Sequence, residues 1–158
     1  MSIKRRLETD LKEAMKARET LRVNCLRMLK SKILEKEVAL RADRGKSYEL
    51  DDDETLAVLG AYGKQRRDSI ESFRQAARGD LVDKEEAELA IVNAYLPQQL
   101  SGEEIERIVR EAIEESGAAS PSDMGKVMKL VMPRVQGAAD GKRVNTIVRA
   151  NLQPADRS

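Results

Sequence analysis

The sequence predicts an all-α protein, and three observations support this prediction. Apolar residues recur at intervals of three and four along most of the chain, which is the spacing of one face of an α-helix. Only 9 of the 158 residues are glycine and 4 are proline, too few for the many tight turns of a β-sandwich. Hydrophobic residues make up 41% of the chain, too large a share for a disordered polypeptide.

Two helices are predicted before residue 45. The first ends between Lys16 and Glu19, and Thr20 is a suitable cap for the second, which extends to about Ala42. The expected buried stripe of the first helix is Ile3, Leu7, Leu11 and Met15, and that of the second is Leu21, Cys25, Met28, Leu29 and Ile33.

A third and a fourth helix follow a polar loop at residues 44–47. Four acidic residues, 51–54, crowd the start of the third helix, where carboxylates meet the positive end of the helix dipole. Gly79 is a suitable stop for this helix, and the fourth is expected over residues 82–95. The stripe of the third helix is Leu59, Tyr62, Ile70, Phe73 and Ala77.

The segment Leu96-Pro97-Gln98-Gln99-Leu100 interrupts the helical pattern, and we place a domain boundary there. The prediction is an N-terminal helical bundle or hairpin over residues 1–96 and a C-terminal three-helix domain over residues 97–158.

The three helices of the second domain have clear terminal signals. Ser101 and Glu104 form a capping box for a helix that Gly117 ends. Ser120 is expected to cap the next helix, and Asp140 the last. The stripe of the middle helix is Met124, Val127, Met128, Val131, Met132 and Val135, and that of the last helix is Val144, Ile147, Val148 and Leu152.

Charged residues divide the chain into regions of opposite sign, although the net charge is only +1. Residues 1–50 carry 14 Lys and Arg against 8 Asp and Glu, and residues 121–158 carry 7 against 3. Residues 51–100 carry 6 against 11, and residues 101–120 carry 2 against 6. The two basic regions suit a polyanion, but the charge alone favours helix surfaces that are simply solvated, since a nearly neutral chain lacks the strongly basic balance of a nucleic-acid module.

The composition excludes several classes of catalytic and metal site. The chain has no histidine, which removes Ser-His-Asp and Cys-His catalysis and histidine-containing metal sites. Gly45-Lys46-Ser47 lacks the preceding glycine and strand of a phosphate-binding P-loop. The acidic residues 51–54 are interpreted as helix capping and not as a magnesium site. We therefore expect no catalytic, cofactor-binding or metal-binding residues.

The expected location is the cytoplasm. The single cysteine, Cys25, lies on an apolar stripe and is interpreted as a small buried hydrophobe in a reducing compartment. No apolar run approaches the roughly 20 residues that a membrane span needs, and residues 1–11 show no signal-peptide core.

Arg66 interrupts the apolar stripe of the third helix, between Tyr62 and Ile70. A buried, unpaired guanidinium would be strongly destabilising, so Arg66 is expected to have a partner. A carboxylate on the fourth helix, such as Glu88, is the first interpretation, and the alternatives are a hydrogen-bonded tyrosine and a bound anion.

A second candidate site is a basic edge near the C-terminus. Lys142, Asn145 and Arg149 recur at i, i+3 and i+7 on one edge of the last helix, and Lys126 and Lys129 lie on the neighbouring helix. Such an edge can contact phosphates, but without aromatic neighbours it cannot stack bases.

Several motifs, taken together, resemble those of the YqeY-like family. They are RMLK at 27–30, KQRRDSIE at 64–71, YLPQQL at 95–100, DMGKVM at 123–128, GAADG at 137–141 and VN at 144–145. The resemblance covers essentially the whole chain. Ala138 is a departure, because the family commonly has a basic residue there.

The resemblance implies a C-terminal domain similar to the tail of the B subunit of the glutamine-dependent aspartyl/glutamyl-tRNA amidotransferase, which helps to hold the tRNA. At the family level it implies a carbon–nitrogen ligase with glutamine as amido-nitrogen donor. We expect this chain to be non-catalytic on its own and to bind tRNA or a tRNA-dependent amidotransferase complex. The alternative is a protein–protein adaptor whose basic faces bind no RNA.

Overall fold

The computed structural model describes residues 1–153, and the predicted all-α fold is confirmed for this part of the chain, which contains no β-strand. Residues 154–158, which belong to the predicted C-terminal domain, lie outside the described residues. The elements are α1 Ile3–Lys16, α2 Thr20–Arg44, α3 Asp52–Gln75, α4 Gly79–Asn93, α5 Gly102–Ser116, a 3-10 turn Pro121–Asp123, α6 Met124–Val135 and α7 Gly141–Leu152.

The chain divides into two compact units, Met1–Leu96 and Pro97–Ser158. The first unit contains α1 to α4, and its core is built from apolar residues of all four helices. Its largest fully buried side chains are Leu7, Leu26, Leu29, Leu59 and Val92. None of the helices in residues 1–153 is long and apolar enough to cross a lipid bilayer.

A buried carboxylate connects three parts of the first unit. Glu37 of α2 is only 5% exposed, and it accepts hydrogen bonds from Lys4 Nζ of α1 at 2.5 Å and from the Leu50 amide at 3.1 Å. Arg41 Nη2 lies 3.8 Å from the same carboxylate. Burial disfavours the ionised form of Glu37, but the Lys4 and Leu50 hydrogen bonds and the two cationic charges outweigh it and lower the pKa below its usual value.

Two helix boundaries in the first unit differ from the prediction. At each of them a residue other than glycine adopts the left-handed conformation and the chain reverses direction. Arg18 has a left-handed φ of 58°, and the Glu19 amide donates to the Ala14 carbonyl, so Glu19 and not Thr20 precedes α2. Ala77 has a φ of 56° in an equivalent turn that ends α3 early. Residue 79 therefore begins α4 and does not end α3, and α4 extends only to Asn93.

Three side chains that were expected in the core are exposed. Met15, Leu21 and Met28 are 50%, 45% and 47% exposed, so their predicted burial is wrong. The sequence of α2 contains two overlapping apolar stripes, and the neighbouring helices cover only the one that contains Leu26, Leu29 and Ile33. In the third helix the predicted stripe also ends early, since Phe73 is half-buried and residue 77 is exposed beyond α3.

In the second unit most of the predicted terminal signals are confirmed. Ser101 and Glu104 form the capping box of α5, and Gly117 ends that helix with a φ of 69°. The Asp140 carboxylate accepts a hydrogen bond from the Lys142 amide at 3.1 Å. Ser120 occupies the predicted cap position, with Pro121 after it, but the element it begins is a 3-10 turn that leads directly into α6. Its side chain does not cap that turn, because its Oγ contacts the hydroxyl of Ser122.

The core of the second unit consists mainly of aliphatic residues from α5, α6 and α7. On α6 the fully buried residues are Val127, Val131 and Val135. The methionine side of the predicted stripe lies at the margin of this core, since Met124 and Met128 are half-buried and Met132 is 37% exposed. α6 therefore packs against the core of the second unit through one narrow face of valine residues.

Candidate nucleic-acid interface

The valine stripe of α7 determines which of its polar side chains face solvent. Val144, Val148 and Leu152 are buried, so Lys142 and Arg149 on the opposite side are exposed. These two residues are seven apart, which separates them by about 10 Å along one helix edge at a rise of roughly 1.5 Å per residue. Asn145 lies at the margin of this edge and is half-buried.

The two lysines of α6 are also exposed. Lys126 and Lys129 lie away from the buried valines of the helix, and α6 packs against α7. Lys126 Nζ is 3.7 Å from Asp123 Oδ1, a distance typical of a weak surface ion pair. Among residues 1–153, Lys129, Lys142 and Arg149 have no carboxylate oxygen within 4.0 Å.

One further cation of this unit was not singled out from the sequence. Arg143 is exposed, and its Nη2 lies 3.0 Å from the position that a Cβ on Gly102 would occupy. Glycine at the start of α5 therefore leaves room for this guanidinium. In the sequence, the only sign of Arg143 is that it is a basic residue adjacent to Lys142. It lies on a different side of the helix from the predicted edge, so that edge does not include it.

Residues 97–100 and 137–138 bind one another within the second unit. The Leu100 amide donates to the Ala138 carbonyl at 2.8 Å, and Gln99 Nε2 donates to the Gly137 carbonyl at 2.8 Å. Gly137 has a φ of 75°, and Pro97 lies 3.2 Å from the position of a Cβ there, so a side chain at 137 would be both strained and crowded. Two motifs separated in sequence thus form one structural junction that holds the turn before α7.

Arg66 lies between an aromatic ring and two carboxylates of α4. Its Nη1 is 3.0 Å from Glu88 Oε2, the partner named from the sequence, and its Nε is 3.2 Å from Glu85 Oε2. The Nε and the Glu85 oxygen are close enough for an ion pair but lack hydrogen-bond geometry. The guanidinium carbon also lies 4.6 Å from the centre of the Tyr62 ring. The guanidinium of Arg66 is therefore bound by side chains of α3 and α4 within the first unit.

Cys25 and Tyr62 adjoin this cluster, and both favour their neutral forms. Burial, together with the nearby Glu88 charge, raises the pKa of the Cys25 thiol to about 11. Burial also raises the pKa of Tyr62 to about 12. A thiol that is protonated at neutral pH is a poor nucleophile, which agrees with the interpretation of Cys25 as a buried hydrophobe. The described residues contain no group of three or more His, Cys, Asp or Glu that is placed to hold a metal ion.

Comparison with protein families identifies the chain. The model of the family described as Yqey-like protein matches residues 4–152. The chain belongs to the YqeY-like family. The match covers both units, so the resemblance inferred from the sequence is confirmed.

The YqeY-like chain is similar to fungal proteins named altered inheritance of mitochondria protein 41, mitochondrial. It is 31% identical to the Pyrenophora tritici-repentis protein over 138 residues, which are 85% of this chain and 71% of that protein. It is 39% identical to the Lachancea thermotolerans protein over 73% of this chain and 60% of that protein. For a Saccharomyces cerevisiae relative the identity is 36%, over 58% of this chain and 47% of that protein.

These relatives overturn one expectation about the YqeY-like chain. The cytoplasmic location expected from the sequence is contradicted, because the relatives are named as mitochondrial proteins. The physical reason is that a reduced thiol and a polar N-terminal helix suit any reducing aqueous compartment. They do not distinguish one such compartment from another.

Proposed function

We propose that this YqeY-like protein is a non-catalytic RNA-binding protein whose C-terminal unit contacts tRNA phosphates. The observation that carries the proposal is the absence of acidic partners around Lys129, Lys142 and Arg149 among the described residues. Exposed cations without carboxylate partners can neutralise phosphates without first breaking an ion pair. Lys126 and Asn145 would add one weakly paired cation and one neutral hydrogen-bonding group.

The chemistry of this edge supports binding to the RNA backbone and not to particular bases. Residues 97–158 contain no aromatic residue, so this unit has no ring on which a base could stack. Phosphate contacts position a nucleic acid but carry little sequence information. The expected binding is therefore tolerant of tRNA identity and strongly weakened by salt. Such an edge would suit a protein that holds tRNA for an amidotransferase located on other chains.

The test is a Lys142→Ala, Arg149→Ala double variant, assayed by filter binding to bulk tRNA over a series of salt concentrations. Both residues lie outside the buried stripe of α7, so the fold should be retained. Loss of two phosphate contacts should weaken binding and flatten the slope of log affinity against log salt by about 2 units, at roughly 0.9 per phosphate on a duplex.

A matched control removes the same charge from the same unit. Arg107 and Arg110 of α5 are exposed, and the Arg107→Ala, Arg110→Ala variant should leave the affinity and the salt slope close to those of the parent. Unchanged binding by the α7 variant would remove this edge as the RNA surface. Equal weakening by both variants would show a dependence on net charge alone.

The protein–protein adaptor is the second candidate, and exposed apolar side chains of α2 favour it. Leu34 and Val38, one helical turn apart, are 52% and 55% exposed. If the parent protein binds no tRNA even at low salt, RNA binding is wrong and the adaptor becomes the better proposal.

A further inference from the structure

The first unit has a basic face of its own along α1 and α2. A groove of about 960 Å³ lies between these two helices and the connection to α3. Glu8 of α1 and Lys30 of α2 approach across it to 3.9 Å, which shows the side of α1 that faces α2. We define the α1–α2 basic face as Arg5, Lys12 and Lys16 of α1 with Arg27 of α2.

The three α1 members form one solvent-facing row. They occupy positions i, i+7 and i+11, opposite the buried Leu7 and Ala14, and all three are exposed. Lys12 follows Glu8 by one helical turn, so the row adjoins the groove. At a rise of roughly 1.5 Å per residue the row is about 16 Å long. This length suits a polymer with repeated anionic groups better than one isolated anion.

The groove is lined by five acidic residues, and each has a partner within the first unit. Glu49 lies 3.4 Å from Lys4 Nζ, and Glu8 lies 3.9 Å from Lys30 Nζ. Glu37 is bound by Lys4, by Arg41 and by the Leu50 amide. Asp52 accepts from the Ile3 amide at 3.0 Å, and Asp51 accepts from the Glu54 amide at 2.8 Å.

The cations of the basic face have no such partners. Among residues 1–153, Arg5, Lys12, Lys16 and Arg27 have no carboxylate oxygen within 4.0 Å. Arg5 and Arg27 line the groove itself, together with the hydroxyl-bearing Ser2 and Ser31. Ser2 Oγ already accepts from the Arg5 amide at 3.2 Å, so the available groups are the cations and the Ser31 hydroxyl. Such groups commonly contact phosphate oxygens.

We propose that the α1–α2 basic face is a second phosphate-binding surface, which contacts an RNA backbone independently of the C-terminal edge. This inference rests on the proposed function in one respect, because it takes RNA as the polyanion. The N-terminal unit then contributes to RNA affinity through its own cations and is more than a support for the C-terminal unit.

The test uses the full-length chain with Arg5→Gln, Lys12→Gln and Arg27→Gln combined. Glutamine keeps helix propensity and polarity while it removes three charges. The affinity for bulk tRNA at low salt should fall by about tenfold or more, and the salt slope should flatten by about 2 to 3 units. The matched control is Lys36→Gln, Lys46→Gln, Lys84→Gln, which removes three exposed charges elsewhere in the same unit and should bind like the parent.

The outcomes distinguish a failure of this inference from a failure of the proposed function. If the three-residue variant weakens tRNA binding and its control does not, the basic face is supported, whatever the α7 variant does. If only the α7 variant weakens binding, the inference is wrong and the proposed function stands. Equal loss in the variant and its control would overturn the basic face as a defined surface.

A parallel measurement uses vesicles of phosphatidylcholine with phosphatidylglycerol. If the parent binds these vesicles through the basic face but binds no tRNA, the face is a membrane-surface contact and the RNA inference is overturned.

Discussion

Arg66 shows how a single charged residue is accommodated on an apolar helix face. Its side chain is 18% exposed, and those of Glu85 and Glu88 are 14% and 15% exposed, so all three charges are largely removed from water. Replacing Arg66 by methionine keeps an apolar stem but leaves two carboxylates without a cation. We expect Arg66→Met to lower the free energy of unfolding by about 3 kcal/mol, measured by urea denaturation.

The control for this residue is another arginine of α3. Arg74 also pairs with an α4 carboxylate, Glu86, at 2.6 Å, but its side chain is 59% exposed. Arg74→Met should change the free energy of unfolding by less than about 1 kcal/mol, because solvent screens an exposed pair. Equal denaturation midpoints for Arg66→Met and the parent would show that the α3–α4 cluster contributes little to stability.

At the scale of the helices, the turn between α3 and α4 contains a strained residue. Ala77 is in the left-handed region with a φ of 56°, where glycine is the usual residue at a helix end. The Arg78 amide donates to the Phe73 carbonyl across this turn. Ala77→Gly should raise the free energy of unfolding by roughly 0.5–1 kcal/mol, because relief of the steric cost exceeds the added entropy of the unfolded chain.

The adjacent alanine is the control for this turn. Ala76 has a φ of −84°, so glycine offers no conformational advantage there. Ala76→Gly should leave stability unchanged or lower it, again by urea denaturation. A gain at both positions, or at neither, would contradict the assignment of strain to residue 77.

At the scale of the whole molecule, we expect the two units to unfold separately. Pro97 and Gln98 are exposed, whereas Leu100 is bound to the Ala138 carbonyl within the second unit. A protease of broad specificity should therefore cut first between residues 96 and 99. The fragment from residue 97 onward should keep a helical circular dichroism spectrum and unfold cooperatively. A single unfolding transition of the full chain, without cleavage near residue 97, would indicate one fused domain.

Helices and their ends were largely predictable because their signals are local. The capping box of Ser101 and Glu104 and the stop at Gly117 involve groups within one helical turn. The buried valines of α6 and α7 follow the helical period, and they place the cations of the candidate edge on the opposite side. The reversals at Arg18 and Ala77 could not be predicted in this way, since neither residue favours a left-handed conformation.

What the sequence by itself determined is the all-α class, most of the helices and the solvent exposure of Lys126, Lys129, Lys142 and Arg149, but not that of Arg143. The tertiary structure alone decided which apolar stripe of α2 is buried, and hence that Met28 is exposed. It also decided that Glu85 joins Glu88 beside Arg66 and that Gln99 binds the Gly137 carbonyl. The physical reason is distance along the chain. A helix depends on neighbours three or four residues away, whereas burial and charge pairing depend on which distant segments pack together.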